Sequence, residues 1–156
     1  MQLKKLLEKW DLTSLKIKAP FLEMQWEPQD EDKTAAWELY IELTTRAATQ
    51  GLDLEEGDEA AALESVYQLF ALTRETIKRN GRSCINFTRI AVVVLNQKVR
   101  LFTAKWHPRV LASPLDGAAR QQFRAELSAL QKDLRNYTRL LTDMADVEDL
   151  TDLEAV

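Results

Sequence analysis

Glycine, proline and cysteine are all scarce in this sequence. Its 156 residues include four glycines, four prolines and one cysteine, Cys84. Sheet-rich folds need many turns, so a shortage of turn residues favours long helices. A single cysteine cannot form an internal disulfide or a cysteine-based zinc cluster within one chain. These absences exclude a disulfide-stapled or zinc-ribbon domain and predict an all-α fold.

Long hydrophobic runs are also missing. The N-terminus, MQLKKLLEKW, mixes leucine with lysine and glutamate and lacks the apolar stretch of a signal peptide. The longest uninterrupted apolar run, Ile90–Leu95, is far shorter than the roughly 20 residues of a membrane span. We therefore expect a cytoplasmic protein without a membrane partner.

Composition and punctuation predict one domain. Apolar residues make up 46% of the chain and charged residues 29%, which is ordinary for a globular protein. We expect a four-helix bundle over residues 30–146, preceded by an N-terminal arm (1–29) and followed by an acidic tail (147–156). Within the arm, a short helix over residues 2–10 precedes an extended segment in which apolar and polar residues alternate between Pro20 and Pro28.

Four long helices are predicted from apolar spacing and capping signals. The first should run over about 30–50, the second over about 58–80 and the third over about 83–107, where Pro108 should end it. The fourth should begin with Ser113 as its N-cap. Its apolar residues are spaced alternately four and three apart: Phe123, Leu127, Leu130, Leu134, Tyr137, Leu141 and Met144. This helix is longer than the first two, so we expect Leu141 and Met144 to project beyond the bundle and bind a partner.

A polar stripe interrupts the otherwise apolar third helix. It consists of Arg89, Asn96, Arg100, Thr103 and His107. Arg100 and His107 are seven residues apart, which places both on one helix face, where histidine could transfer protons and arginine could hold phosphate. The spacing resembles the R-x4–6-H motif of HEPN-type ribonucleases, which are small helical bundles and often dimers. Leu101 departs from that motif, in which a polar residue follows the arginine.

The same stripe has a purely structural interpretation, which we favour. Arg100 would pair with a carboxylate of another helix or of the tail, while Asn96 and Thr103 would hydrogen-bond across the bundle. A Ser-His-Asp hydrolase would depend on the only histidine, His107, and no nucleophile-elbow sequence is present. The acid clusters at 27–32 and 53–59 lack calcium-loop spacing, so we expect neither a metal nor another cofactor.

Charge is distributed unevenly along the chain. Net charge is −4, yet residues 76–115 contain no acid and carry +8, leaving −12 on the remainder. The tail is acidic from Asp143 onward and repeats an apolar residue every three positions, including Leu150 and Leu153. Because order requires contacts, we expect this tail to dock on the basic region or on a partner chain. Trp10 and Trp26 lie outside the long helices and are candidate interface anchors.

Three segments resemble an uncharacterised family of small bacterial proteins associated with defence or conflict gene neighbourhoods. They are WELYIELTTRAATQ, GDEAAALESVYQLFALTRETIK and VLNQKVRLFTAKWH, and the likeness covers about residues 10–110. It implies an accessory or sensing role beside a larger effector and transfers no site residues.

The function class is predicted from the missing catalytic groups, the long fourth helix, the candidate interface tryptophans and the uneven charge. The leading hypothesis is a non-enzymatic helical interaction module, an accessory or regulatory subunit that binds a protein partner or forms a homo-oligomer. The alternative is a HEPN-like, metal-independent ribonuclease that uses Arg100 and His107. Nucleic-acid binding without chemistry fits the acid-free region but is opposed by the acidic whole.

Overall fold

The chain is all-α in its computed structural model, which describes residues 1–46 and 58–151. Within these ranges the regular elements are helices, and the one β-type pairing is an isolated antiparallel bridge between Gln2 and Gln25. They are α1 (Leu3–Lys9), α2 (Ala19–Leu22), α3 (Asp30–Thr44), α4 (Glu59–Tyr67), α5 (Leu69–Asn80), α6 (Ile85–Val94), a π-helical turn (Leu95–Val99), α7 (Arg100–Ala112) and α8 (Gly117–Ala145). The elements are therefore shorter and more numerous than the four long helices predicted.

The N-terminal segment is packed into the core rather than laid over it as an extended arm. The predicted first helix is confirmed as α1, which buries Leu3, Leu6 and Leu7. The prediction of extended structure after Lys18 is wrong at α2, because Pro20 lies in its first turn, where the missing N–H costs nothing. The backbone then returns to α1 through a hydrogen bond from Trp26 N to Met1 O of 2.7 Å.

α3 buries a different face from the one predicted. Its core residues are Ala35, Ala36, Leu39, Tyr40 and Leu43. The helical spacing of the sequence predicts a different buried face, formed by Trp37, Tyr40, Ile41, Thr44 and Ala48. Of these, Tyr40 is buried, Trp37, Ile41 and Thr44 are not, and Ala48 lies outside the described residues. The predicted stripe gave weight to large residues, whereas the face that is buried includes two alanines, Ala35 and Ala36. Predicted to extend to about residue 50, just before Gly51, the helix ends at Thr44, and Gly51 lies outside the described residues.

A buried carboxylate joins the start of α3 to the start of α6. The Asp32 side chain accepts hydrogen bonds from Gln29 N at 2.9 Å, Asn86 Nδ2 at 3.0 Å and Phe87 N at 2.9 Å. It is fully buried, and an N–H donor faces each accepting oxygen. Asp32 therefore caps its own helix and fixes the direction in which α6 begins.

The predicted second helix is divided at Gln68 into α4 and α5. Asp58 is the N-cap as expected and accepts from Ala61 N at 3.2 Å. Gly81 ends α5 with a φ of +79°, a backbone conformation that residues with a side chain rarely adopt. The side chains of Glu59, Arg120 and Arg124 tie the first turn of α4 to α8.

The predicted end of the third helix at Pro108 is wrong. Pro108 lies inside α7, which continues to Ala112. A proline inside a helix leaves one carbonyl without its donor, here that of Ala104. Both Ala104 and Pro108 are exposed, so water can satisfy that carbonyl and the helix continues.

α8 forms the centre of the core. All seven residues of the predicted four-and-three pattern are buried, as expected. Its N-cap is Asp116, which accepts from Ala119 N at 2.8 Å, and the prediction of Ser113 is wrong. Leu141 and Met144 are fully buried, so the expectation that they project beyond the bundle is also wrong. α1 reaches this end of α8, where Trp10 and Lys9 both donate to Asp143.

The described part of the acidic tail, residues 147–151, is bonded to its own chain through Tyr40 and Arg139, which lie outside residues 76–115. Asp146 ends α8 in a left-handed conformation, and Leu150 N then donates to the Tyr40 hydroxyl at 2.9 Å. Asp149 lies 3.8 Å from the Arg139 guanidinium, and Thr151 is buried. Leu153, a predicted partner-binding residue, lies outside the described residues.

Candidate functional site: an aromatic groove holding Arg100 and His107

A groove of about 530 Å³ lies between the α4–α5 segment and α7. Arg100 and His107 both line it, so the structure brings together the two residues that the sequence singled out. Tyr67, Phe70, Arg74 and Thr103 are among its other lining residues. The site therefore combines aromatic rings, two guanidinium groups and an imidazole.

His107 is held by stacking rather than by hydrogen bonds. Its ring is 4.7 Å from the Tyr67 ring, with 15° between the two planes. The side chain is half-buried, and neither ring nitrogen has a hydrogen-bond partner in the described part of the chain. The imidazole is therefore fixed in position while both nitrogens stay available for a ligand.

Arg100 is also positioned by a ring. Its guanidinium lies 4.9 Å from the centre of the Phe70 ring, and its Nε donates to Asn96 Oδ1 at 3.2 Å. Within residues 1–46 and 58–151 no carboxylate pairs with it, so the predicted structural ion pair is not found there. Its remaining N–H groups can take a planar anion such as phosphate.

The rest of the polar stripe does not behave as a seam across the bundle. Asn96 bonds Arg100 on its own helical segment, and Thr103 Oγ1 donates to Arg100 O at 3.3 Å. Arg89 belongs to another surface, where its guanidinium lies 5.2 Å from the Phe21 ring. The π-helical turn between Arg89 and Arg100 explains this separation, because one extra residue per turn rotates the helix face by about 100°.

Arg74 is the member of the groove that the sequence did not reveal. It is exposed on α5, and no ion pair to it is found among the described residues. It contributes a second guanidinium facing α7, so the groove holds Arg74 and Arg100 against a single lining carboxylate, Glu64. The arrangement favours an anionic ligand. Arg74 reaches the groove because α4 packs on α7 and α5 follows directly after α4, and no short-range sequence pattern reports that packing.

The tryptophans are arranged differently from what was expected. Trp10 is half-buried, with Nε1 2.6 Å from Asp143 Oδ2, and Trp26 is half-buried against the core. The most exposed tryptophan is Trp37, at 49%, and Ile41 one turn later on α3 is 42% exposed. These two residues, called the α3 patch below, were missed because their spacing matches that of a core stripe.

The described part of the chain neutralises the basic region only in part. Arg79 pairs with Glu38 at 2.9 Å, Lys98 with Asp133 at 3.5 Å and Lys105 with Glu126 at 2.7 Å. Three other arginines of this region lie on aromatic rings instead: Arg89, Arg100 and Arg109. Ion pairs within the described chain therefore neutralise some cations of the basic region. Arg100, which lines the groove, is not one of them.

No helix in the described ranges has both the length and the apolar character required to cross a bilayer. The same residues contain no cluster of three or more potential ligands from histidine, cysteine, aspartate and glutamate that could hold a metal ion. Comparisons with protein-family models, curated proteins and solved structures find no match to this chain.

Proposed function

We propose that the protein is a helical interaction module, an accessory or regulatory subunit that acts by binding another protein chain. The observation that carries this proposal is the α3 patch, where Trp37 and Ile41 expose large apolar side chains one helical turn apart. Tryptophan is enriched among the residues that dominate binding energy at interfaces. A large ring exposed to water, on a helix whose opposite face is well packed, contributes nothing to the stability of the folded monomer.

The rigidity of α3 supports this role. Asp32 fixes its N-terminus, and Tyr40, on the turn between the two patch residues, accepts a hydrogen bond from the tail. A surface held from both sides loses little conformational entropy when a partner binds, which favours affinity.

Isolation of the tagged full-length chain from its native cells tests the proposal. We expect a defined protein to co-purify with wild type in fixed proportion and to be lost with Trp37→Ser. Leu111→Ser is the matched control, because Leu111 is 73% exposed on α7. Equal recovery with both variants would place the partner elsewhere, and a chain that is monomeric and alone at every concentration would contradict the proposal.

A second candidate function is metal-independent RNA cleavage of the HEPN type. The observation that favours it is that Arg100 and His107 line one groove with unoccupied hydrogen-bonding groups. His107 would transfer the proton of the attacking 2′-hydroxyl, and Arg100 would hold the phosphate. Purified wild type would then cleave RNA in the presence of a chelator, and His107→Ala would abolish cleavage. Intact RNA after incubation with wild type would eliminate this candidate.

The biological setting and the finer architecture are part of the same proposal. We infer that α4 with α5, and α6 with α7, act as two bent helices, so that α3 and α8 complete a four-helix bundle. The resemblance to small bacterial proteins of defence neighbourhoods supports a cytoplasmic accessory role beside a larger effector. Co-purification of such an effector is the result that would favour this setting.

A further inference from the structure

A second groove, of about 420 Å³, lies on the other side of the π-helical turn, between residues 16–21 and α6. Its floor is formed by Leu3 and Ile90, which are buried, and its walls include Phe21 and Val92, which are 37% and 42% exposed. The exposed lining surface is almost entirely apolar. We call it the apolar groove.

Three cations surround the apolar groove: Lys16, Lys18 and Arg89. None of them has a carboxylate partner within the described ranges, and no acidic residue lines the groove. Arg89 instead covers one wall, with its guanidinium 5.2 Å from the Phe21 ring. An occupant that matches this surface has aliphatic side chains flanked by acidic ones, because each carboxylate can then meet a cation.

The groove is preformed. Gln97, in the π-helical turn, binds the Lys16 backbone twice, accepting from Lys16 N at 2.7 Å and donating to Lys16 O at 2.8 Å. Lys98 Nζ donates to Ser14 Oγ at 2.8 Å and fixes the same loop. The π-helical turn thus presents two neighbouring side chains that hold the groove wall in place, so binding would not need to order that wall.

The chain itself carries a segment of the matching chemistry. From residue 143 onward it has acids and no base, and Val147 and Leu150 are 38% and 40% exposed. The bond from Leu150 N to the Tyr40 hydroxyl holds the described part of this segment at the end of α8, with its exposed apolar side chains beside Glu148. The described part of this segment therefore exposes apolar side chains that neighbour acidic ones in the sequence.

We propose that the apolar groove binds the acidic C-terminal segment of a second copy of this chain. The inference rests on the proposed function and deepens it by naming the partner of one surface. Val147 and Leu150 enter the groove, and the carboxylates of Asp146 and Glu148, which pair with no cation among the described residues, meet cations of the set Lys16, Lys18 and Arg89. Because groove and segment are different surfaces, the contact is heterologous, and repeated copies close into a ring or extend as a chain.

Sedimentation of the full-length chain over a range of concentrations is the first measurement. We expect self-association in 50 mM salt that weakens in 500 mM salt, since exposed charges are screened. Lys16→Glu with Lys18→Glu should weaken it by about tenfold or more, which corresponds to about 1.4 kcal/mol. Val92→Asp should do the same by placing a carboxylate on the apolar wall. Lys132→Glu is the matched control, because Lys132 is exposed on α8 away from the groove.

A labelled peptide of residues 143–156, titrated onto the full-length chain, is the second measurement. We expect saturable binding that is lost in the Lys16→Glu, Lys18→Glu variant and regained there by a peptide with lysine at its six acidic positions. Wild-type binding of the lysine peptide, or equal self-association of all variants, would overturn the inference. The α3 patch does not take part, so a partner captured through Trp37 would leave the proposed function standing even if this inference failed.

Discussion

Two regions of the molecule each hold a charged side chain that has no ion-pair partner in the described chain: the α3–α6 joint holds Asp32, and the groove holds Arg100. The two side chains differ in how far the fold satisfies their hydrogen bonds. Asp32 is fully buried, and three N–H donors satisfy its two oxygens. Arg100 is exposed, lies on a ring and gives one hydrogen bond to a neighbour on its own helical segment. Contacts within the fold therefore occupy the hydrogen-bonding capacity of Asp32, whereas most N–H donors of Arg100 remain available to a ligand.

This difference separates structural polar groups from candidate binding groups. Burying a charge is tolerated only when its hydrogen bonds are complete, so Asp32 has no capacity left for a ligand. A guanidinium on an aromatic face keeps its in-plane donors, because the ring occupies only the face of the group. Unused donors, rather than the presence of charge, therefore mark a surface as a candidate binding site.

Phe123→Asp gives the largest effect that we expect, because it removes the core on which both regions rest. Phe123 is fully buried on α8, and its ring centre lies 5.2 Å from that of Trp106 and 5.3 Å from that of Phe102, both on α7. Loss of the ring and burial of an unpaired carboxylate should each cost about 3–5 kcal/mol, comparable with the stability of a whole domain. Circular dichroism should show an unfolded chain.

Leu101→Asp is the matched control for that substitution. Leu101 is 70% exposed on α7, so the same carboxylate should remain solvated there and the melting curve should stay close to wild type. A cooperative melt in Phe123→Asp near the wild-type temperature would show that α8 does not pack as described.

Asp32→Ala is expected to have the next largest effect and acts on the joint alone. It leaves Gln29 N and Phe87 N without their acceptor and leaves Asn86 Nδ2 only its bond to Glu27 O, at a cost of about 3 kcal/mol. Glu31→Ala in the same helical turn is the control. Glu31 is exposed, so its loss should cost only the roughly 0.5 kcal/mol of an acid at a helix N-terminus. Denaturant titration would measure both, and equal losses would reduce Asp32 to an ordinary dipole effect.

Much of the fold was predictable from local pattern. The α8 core positions follow from strict four-and-three spacing, and Asp58 and Gly81 follow from the capping preferences of their residue types. Errors arose where long-range packing decided the outcome. Pro108 continues a helix because its surroundings are exposed, and Leu141 and Met144 are buried because α1 and the tail return to the end of α8.

The candidate site was predictable only along one helix. Arg100 and His107 are both on α7, so their seven-residue spacing was sufficient to place them together. Arg89 was assigned wrongly to the same stripe because no residue signature announces a π-helical turn. Arg74 and Tyr67 enter the groove from α5 and α4, and their contribution depends on contacts between residues distant in sequence.

Glu59→Gln should have a smaller effect, and one that depends on pH. Glu59 anchors α4, and thereby Tyr67 beneath His107, to Arg120 at 2.6 Å and Arg124 at 2.9 Å on α8. Burial acts to raise the pKa of the Glu59 carboxyl, but the hydrogen bonds from both arginines outweigh it and hold this pKa below its usual value of 4.5. A lowered folded-state pKa contributes stability above the unfolded-state value, and that contribution disappears as pH falls through the folded-state value.

We therefore expect Glu59→Gln to lose about 1 kcal/mol at pH 7 and to approach wild type as the pH falls through the lowered folded-state pKa of Glu59. Thermal melts at several pH values would measure the difference. Glu64→Gln is the control, because Glu64 is exposed on the same helix and pairs with no cation in the described residues. A difference that persisted at pH 3 would mean that the charge of Glu59 is not what stabilises the contact.

Arg100→Ala and His107→Ala should have the smallest effects on stability. They test most directly the difference proposed between Arg100 and the structural residue Asp32. Each substitution removes one ring contact, worth about 1 kcal/mol at a surface, and Arg100→Ala also removes a hydrogen bond within its own helical segment. Neither leaves a buried group without a partner, so both melting temperatures should stay within a few degrees of wild type. A loss from Arg100→Ala as large as that from Asp32→Ala would mean that the guanidinium is structural after all. Small losses of stability together with abolished binding of an anionic ligand in the groove would instead establish Arg100 and His107 as groups that the fold positions but does not need.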